Sequence, residues 1–218
     1  MLNQTVFVVD DDAGIRSSIT LLLKADNIFS KCFSSATDFL LACGSDPQGC
    51  LILDVRMPGL SGLQLQDELV SRNIHLPIIF LTGFADTVTT VDAIRKGALD
   101  FLIKPINGKL LLQCVHTALG RHQLIHNTRI KRSDLAARMG KLTEREHEIL
   151  ALAISGASNK LMSNRLAISA RTVEGHRARI FIKLNVSSFM DLSTQAASLD
   201  LTLPDLLSLA KSPALPRS

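Results

Sequence analysis

Apolar runs alternate with amphipathic stretches through the first half of the chain. Thr5 to Val9 leads straight into Asp10-Asp11-Asp12; further runs follow at Ile28 to Phe33, Cys50 to Leu53, Pro77 to Leu81 and Leu99 to Ile103. Short aliphatic and β-branched runs of this kind read as strands buried on both faces. Between them, Ala13 to Asn27 sets Ile15, Ile19, Leu22 and Leu23 on one helical face, and Ala36 to Cys43 is a short helix. Ser61 to Arg72 puts Leu65 and Leu69 one turn apart, Asp86 to Lys96 turns Val88, Val91 and Ile94 inward, and the helix from Asn107 aligns Leu111, Val115 and Ala118. Strands alternating with helices predict an α/β doubly wound, five-stranded parallel sheet with right-handed crossovers. The flavodoxin-like order 2-1-3-4-5 would bring strands 1 and 3 together and open a cleft at the switch point between them.

The pattern changes past residue 120. Residues 121–138 form a polar, basic connection, compatible with a helical arm or a flexible tether. Thr143 followed by Glu146 is a capping box that opens a helix with Ile149, Leu150 and Ala153 inward. Ser155-Gly156-Ala157 ends it, a second helix runs from Ser158 through Arg165, and Ile168-Ser169-Ala170 turns into a third that reaches about Leu184. Helices joined by tight turns in a basic segment suggest a helix-turn-helix whose second motif helix enters the major groove. At 100° per residue Val173, Ile180 and Leu184 face the core, while Arg171, Glu174, Gly175, Ala178 and Arg179 face the bases, with Thr172 beside Arg171. His176 and Arg177 flank that arc and suit phosphates, as do Lys160, Arg165 and Lys183. Glu174 would accept from a cytosine amino group, and Gly175 and Ala178 would allow close approach or touch a thymine methyl. Residues 202–218, with Pro204, Pro213 and Pro216, read as a frayed tail.

Charge separates the two halves. Residues 1–120 hold 9 Lys and Arg against 12 Asp and Glu, net −3, and residues 121–218 hold 15 against 8, net +7. A basic segment of that size points to phosphate-rich partners, above all double-stranded DNA. There is no targeting segment and no apolar run of about 18 residues, so no membrane role and a cytoplasmic location are expected. Cys32, Cys43, Cys50 and Cys114 are scattered without CxxC spacing and read as small buried hydrophobes.

The ends of the strands carry the chemistry. Asp10 and Asp11 follow the first strand, Asp54 ends the third, Thr82 the fourth and Lys104 the fifth. In that strand order all five converge on the carboxyl edge of the sheet, where open α/β sheets bind ligands. Clustered carboxylates repel unless a cation joins them, and oxygen-only ligation suits Mg²⁺ (or Mn²⁺). Asp54 could then attack a phosphoryl group whose oxygens are met by the metal, Lys104 and Thr82. A metal-dependent aspartate phosphohydrolase is the alternative, with Asp10-x-Asp12 after the first strand as its motif. A dinucleotide fold lacks its Gly-x-Gly-x-x-Gly turn.

Val8-Val9-Asp10-Asp11-Asp12, Leu53-Asp54-Val55-Arg56-Met57-Pro58-Gly59, Leu81-Thr82-Gly83 and Asp100-Phe101-Leu102-Ile103-Lys104-Pro105 resemble the receiver domain of two-component response regulators over residues 4–120. The resemblance implies that Asp54 is the phosphoacceptor, and that Asp10, Asp11, Asp54 and the Arg56 backbone carbonyl make the Mg²⁺ pocket. It further makes Thr82 the switch hydroxyl, Phe101 the switch aromatic, and Lys104 the phosphate-binding lysine before a cis Pro105. Leu142-Thr143-Glu144-Arg145-Glu146, Ser158-Asn159-Lys160 and Ser169 through Arg177 resemble the LuxR-type helix-turn-helix, a four-helix all-α domain placed at residues 139–201. Together they resemble the FixJ/NarL-type transcription regulators. The resemblance implies a regulator rather than an enzyme, phosphorylated by a sensor histidine kinase, slow to dephosphorylate itself, and binding DNA when phosphorylated as a homodimer paired through a fourth helix at Ser188 to Leu199.

Overall fold

The computed structural model describes residues 4–83 and 98–208, so the expected helix Asp86–Lys96 and the prolines Pro213 and Pro216 lie outside the described residues. The chain divides into two compact units, residues 1–126 and 127–218.

In the first unit β1 (Thr5–Val9), β2 (Ser30–Phe33), β3 (Gly49–Asp54), β4 (Ile78–Thr82) and β5 (Asp100–Ile103) form one parallel sheet in the order β2-β1-β3-β4-β5. The sheet centre is set by composition: every residue of β3 and β4 is buried, whereas β2 and β5, at the edges, alternate with exposed positions. Alternate side chains feed two cores. Phe7, Val9, Leu51, Leu53 and Phe80 pack under α2 (Ala36–Ala42) and α3 (Gly62–Ser71). Val6, Val8, Ile52, Ile79 and Leu81 pack against α1 (Ala13–Ala25) and the start of α4 (Gly108–Met139). The predicted inward faces hold: Ile19 and Leu23 on α1, Leu65 and Leu69 on α3, and Leu111, Val115 and Ala118 on α4 are all buried. Cys43, Cys50 and Cys114 are buried, with burial pushing the Cys50 thiol up to about 12. Cys32 departs from expectation, because it sits on edge strand β2 and is exposed.

The second unit is helical. α5 (Glu144–Ile154), α6 (Asn159–Leu166), α7 (Ala170–Leu184), α8 (Phe189–Ala197) and α9 (Leu203–Ser208) gather around Ile149, Leu150, Met162, Val173, Ile180, Leu184 and Leu192. Side-chain oxygens of Thr143, Ser158, Ser169 and Ser188 cap the starts of α5 to α8, and Thr143 and Glu146 complete the predicted capping box. Arginines close the ends of α6 and α7 and the turn after α8. Arg145 donates to the Leu166 carbonyl, Arg138 to that of Leu184, and Arg132 to that of Leu199, placing cations where helix carbonyls run out of partners.

Two boundaries differ from the sequence reading. The connection expected over 121–138 ends earlier, since Leu135 and Met139 are fully buried in the helical core and Arg132 and Arg138 bond to it. The tail expected from residue 202 begins with α9, and a fifth helix therefore joins the four expected. Thr202 and Asp205 cap α9 reciprocally, Pro204 falls in its first turn, where a missing N–H costs nothing, and Leu206 is fully buried.

Candidate functional site

Five polar side chains gather at the carboxyl edge of the sheet because their strands end there in register. Asp10 directly follows β1 and Asp54 ends β3, both buried, and Asp11 stands exposed beside them. One carboxylate oxygen from each of the three lies within 4.8 Å of the others. Lys104, one residue past β5, reaches back so that Nζ donates to Asp54 Oδ2 at 2.6 Å and Asp10 Oδ2 at 2.8 Å. Its backbone N–H donates to the Thr82 carbonyl at 2.8 Å, and the Lys104–Pro105 peptide is cis, as expected. Thr82 ends β4, buried at the same edge, and Phe101 is half-buried and stacked on Phe80 with ring centroids 4.8 Å apart.

Backbone fixes the carboxylates. Asp10 Oδ1 accepts from Asp12 N–H at 2.9 Å, and Asp54 Oδ1 from Arg56 N–H at 3.1 Å. Burial pushes the Asp10 carboxyl above its ordinary range, against the opposing pull of Lys104 and the Asp12 N–H. Burial alone would lower the Lys104 ammonium, but its two carboxylate partners carry it above its usual value. Three carboxylates against one ammonium leave a formal excess of two negative charges, matching a divalent cation, and the all-oxygen donor set suits Mg²⁺ or Mn²⁺. Asp12 is excluded from this cluster: it is the N-cap of α1, accepting from Gly14 and Ile15 N–H. The phosphohydrolase motif Asp10-x-Asp12 thereby loses its second member to a structural role. Gly62 was missed in the sequence: a Cβ there would lie 2.2 Å from the Asp54 carbonyl oxygen, so α3 can start against the end of β3 only with glycine. A cleft of about 610 Å³ opens beside Lys104, lined by Ile15, Leu22, Ile106 and Leu111 among others.

In the second unit α6 and α7 form the helix-turn-helix, joined through Ala167, whose φ of 52° makes the left-handed turn. The groove-facing arc predicted for α7 is the exposed one: Arg171, Thr172, Glu174, Gly175, Ala178 and Arg179 face solvent, as do Lys160 and Arg165 on α6. Three expected DNA contacts are already engaged. Thr172 shares a hydroxyl hydrogen bond with the N-cap Ser169 at 2.8 Å. Arg177 is half-buried, donating to Asn159 and lying over the Phe189 ring at 5.1 Å. Lys183 pairs with Glu146 at 2.6 Å. Glu146 completes a capping box in the core and is nearly fully buried, so it needs a counter-charge there. Burial alone would raise the Glu146 carboxyl, but Lys183 and the Thr143 donors hold it below the usual carboxylate range. His176 is half-buried, at the flank of the arc.

Residues 6–116 match the response regulator receiver domain, and residues 140–196 the bacterial regulatory proteins of the luxR family. The transcriptional regulatory protein TdiR of Thauera aromatica is 45% identical over 191 residues, covering 86% of this chain and 83% of that protein. The transcriptional regulatory protein FixJ of Azorhizobium caulinodans is 37% identical, covering 88% and 90%. Among solved structures, the response regulator StyR superposes with a TM-score of 0.83 at 36% identity over 89% of this chain and 98% of that one. Full-length FixJ from B. japonicum gives a TM-score of 0.57 at 33% identity over 90% and 97%. None of these supports a phosphohydrolase, and no helix among the described residues is long and apolar enough to cross a membrane. A receiver at the acidic sheet edge and a LuxR-type helix-turn-helix in the basic half are thus joined in one chain, which belongs to the FixJ-type response regulators that act as transcription regulators.

Proposed function

We propose that Asp54 is the phosphoacceptor and that its phosphorylation by a sensor histidine kinase controls dimerisation and promoter binding. The observation that carries this reading is the Lys104 ammonium held 2.6 Å from Asp54 Oδ2 inside a buried carboxylate cluster. In the transfer an Asp54 oxygen attacks phosphorus, the P–N bond to the kinase imidazole breaks, and the imidazole nitrogen keeps the electron pair and takes up a proton. Lys104 steadies one phosphoryl oxygen and Thr82 donates to another, charge being concentrated on those oxygens in such a transfer. Asp10, Asp11, Asp54 and the Arg56 carbonyl would hold Mg²⁺ or Mn²⁺, which supplies the remaining positive charge. The apolar cleft beside Lys104 offers the kinase a surface next to the acceptor. Slow self-dephosphorylation follows from water reaching the same phosphorus.

The added charge, close to that of a phosphate dianion, draws Thr82 inward and lets Phe101 leave its stack on Phe80, shifting the receiver between two packings. The phosphorylated form is a homodimer, paired through α8, that places two copies of α7 in half-sites one helical turn apart, in the cytoplasm. Arg171, Glu174, Gly175, Ala178 and Arg179 face bases, and Lys160, His176, Arg177 and Lys183 lie toward phosphates. Incubation with acetyl phosphate and Mg²⁺, read by phosphate-affinity electrophoresis, tests the acceptor. A stable adduct absent from Asp54→Asn is expected; an adduct that survives the substitution, or steady turnover dependent on Asp10, would sink the assignment.

A further inference from the structure

We propose that Gly175, Ala178 and Ile182 form a strip on α7 that reads thymine methyl groups in the major groove. The inference rests on the reading of α7 as the groove-facing helix. Arg171, Gly175, Ala178 and Ile182 are spaced by four, three and four residues and so share one helical face, and all four are exposed. Ile182 is 79% exposed, opposite the core face of Val173, Ile180 and Leu184.

Gly175 supplies an independent observation. Glycine inside a helix is less favourable than alanine. It is usually retained where something packs against it, yet a Cβ at Gly175 would meet nothing within 4 Å. The open space lets a ligand approach the helix backbone closely at this point.

The chemistry of the strip identifies that ligand. Gly175, Ala178 and Ile182 carry no side-chain donor or acceptor, so they cannot bond to the polar edges of bases; what an apolar surface recognises in the major groove is the thymine C5-methyl. Arg171 at one end and Arg179 beside it face the bases with the strip, while the exposed Lys160 and Arg165 on α6 suit the phosphate backbone. From Gly175 to Ile182 the helix rises roughly 10 Å, about three base-pair steps. Bulk increases from glycine to alanine to isoleucine as the helix leaves the groove, keeping an apolar surface against the base edges.

The test uses the full chain, treated with acetyl phosphate and Mg²⁺, and a duplex selected from a random pool. Each thymine is replaced in turn by deoxyuridine, which removes the methyl and nothing else. Deoxyuridine at two or three neighbouring thymines per half-site is expected to weaken binding by about threefold to fivefold each, the worth of one buried methyl group. Ile182→Ala should abolish the effect at one of them, and because Ile182 is exposed the variant stays folded. Uniform indifference to deoxyuridine, with Ile182→Ala binding like the parent, would overturn the strip. An Ile182→Ala variant that alters the oligomeric state by light scattering but not the deoxyuridine pattern would reassign the face to a contact between copies, and overturn it equally. Arg171→Ala separates the levels: if it too leaves affinity unchanged, the groove assignment itself has failed, whereas weakened binding with a silent deoxyuridine scan removes the strip alone.

Discussion

The sheet edge around Asp54 and the outer face of α7 are built by opposite means. At the sheet edge the buried charges are bonded: Asp10 and Asp54 share Lys104 and accept from backbone N–H groups. Along the arc of α7 from Arg171 to Ile182 the charges stand in solvent, and the basic side chains drawn into internal bonds, Arg177 and Lys183, are those at its flanks. The difference fits what the proposed function asks of each surface. Phosphoryl transfer needs donors fixed before the reaction, whereas a DNA-reading face needs partners that the duplex itself brings. Two glycines show the contrast in miniature. Gly62 is required because the Asp54 carbonyl leaves no room for a Cβ, and Gly175 has open space around it.

The largest effect is expected at the crowded glycine. Gly62→Ala must push α3 away from the end of β3, because the obstacle is backbone rather than a movable side chain. A loss of about 3 kcal/mol in receiver stability is expected, at the upper end for overpacking, together with weaker acetyl phosphate labelling, both measurable on the full chain by urea titration and electrophoresis. Wild-type labelling would show that the contact relaxes without moving Asp54.

Leu135→Ala comes next, and it separates the two units. Leu135 is fully buried among Ile149, Leu150 and their neighbours. Truncation should cost about 2 kcal/mol or slightly more in the helical unit while leaving Asp54 labelling intact. Loss of labelling instead would mean that the end of α4 supports the receiver.

How legible each region was in the sequence follows from the same contrast. Asp10, Asp54, Thr82 and Lys104 could be placed because each ends a buried apolar run, and a parallel sheet brings such ends together. The Lys183–Glu146 pair could not, because it joins residues 37 apart in sequence with no local signal. Leu135 and Met139 were hidden behind the charged run from Arg129 to Asp134, which dominates any local reading of polarity. Leu206 was hidden by Pro204, taken as a breaker although it falls in the first turn of α9, and Thr202 with Asp205 was the cap that gave the helix away. On α7 the helical angle fixed the exposed face, but Ile182, lying on that same face, went unread among polar neighbours.

A smaller effect tests the buried pair. Lys183→Met removes the counter-charge of Glu146 and should cost about 1–2 kcal/mol at neutral pH, seen as a lower urea midpoint for the helical unit. The pH dependence carries the sign. Glu146 is held below its ordinary value of 4.5 in the folded chain. Its pairing therefore stabilises the fold above that value and is lost as the pH falls through the lower, folded value. The parent should lose this increment on acidification below about pH 4.5, the ordinary carboxylate range, and Lys183→Met should not. Parallel acid profiles would mean that the Thr143 donors, rather than Lys183, hold the carboxylate.

The smallest change in stability bears most directly on why the two surfaces differ. Gly175→Ala fills open space with the residue of highest helix propensity, so the chain should gain about 0.5–1 kcal/mol, read as a raised urea midpoint. A gain from so simple a substitution means that the face is not arranged for stability. The same methyl stands where a base edge must approach, so affinity for a selected duplex should fall while Asp54 labelling stays unchanged. Opposite signs for stability and affinity at one residue are what a surface shaped by an absent partner requires. Gly62→Ala, by contrast, should lower stability and labelling together, because at the sheet edge the partner is the chain itself. If Gly175→Ala stabilises the protein and binds DNA as tightly as before, the glycine has no ligand to make room for, and the distinction between the two regions loses its main support.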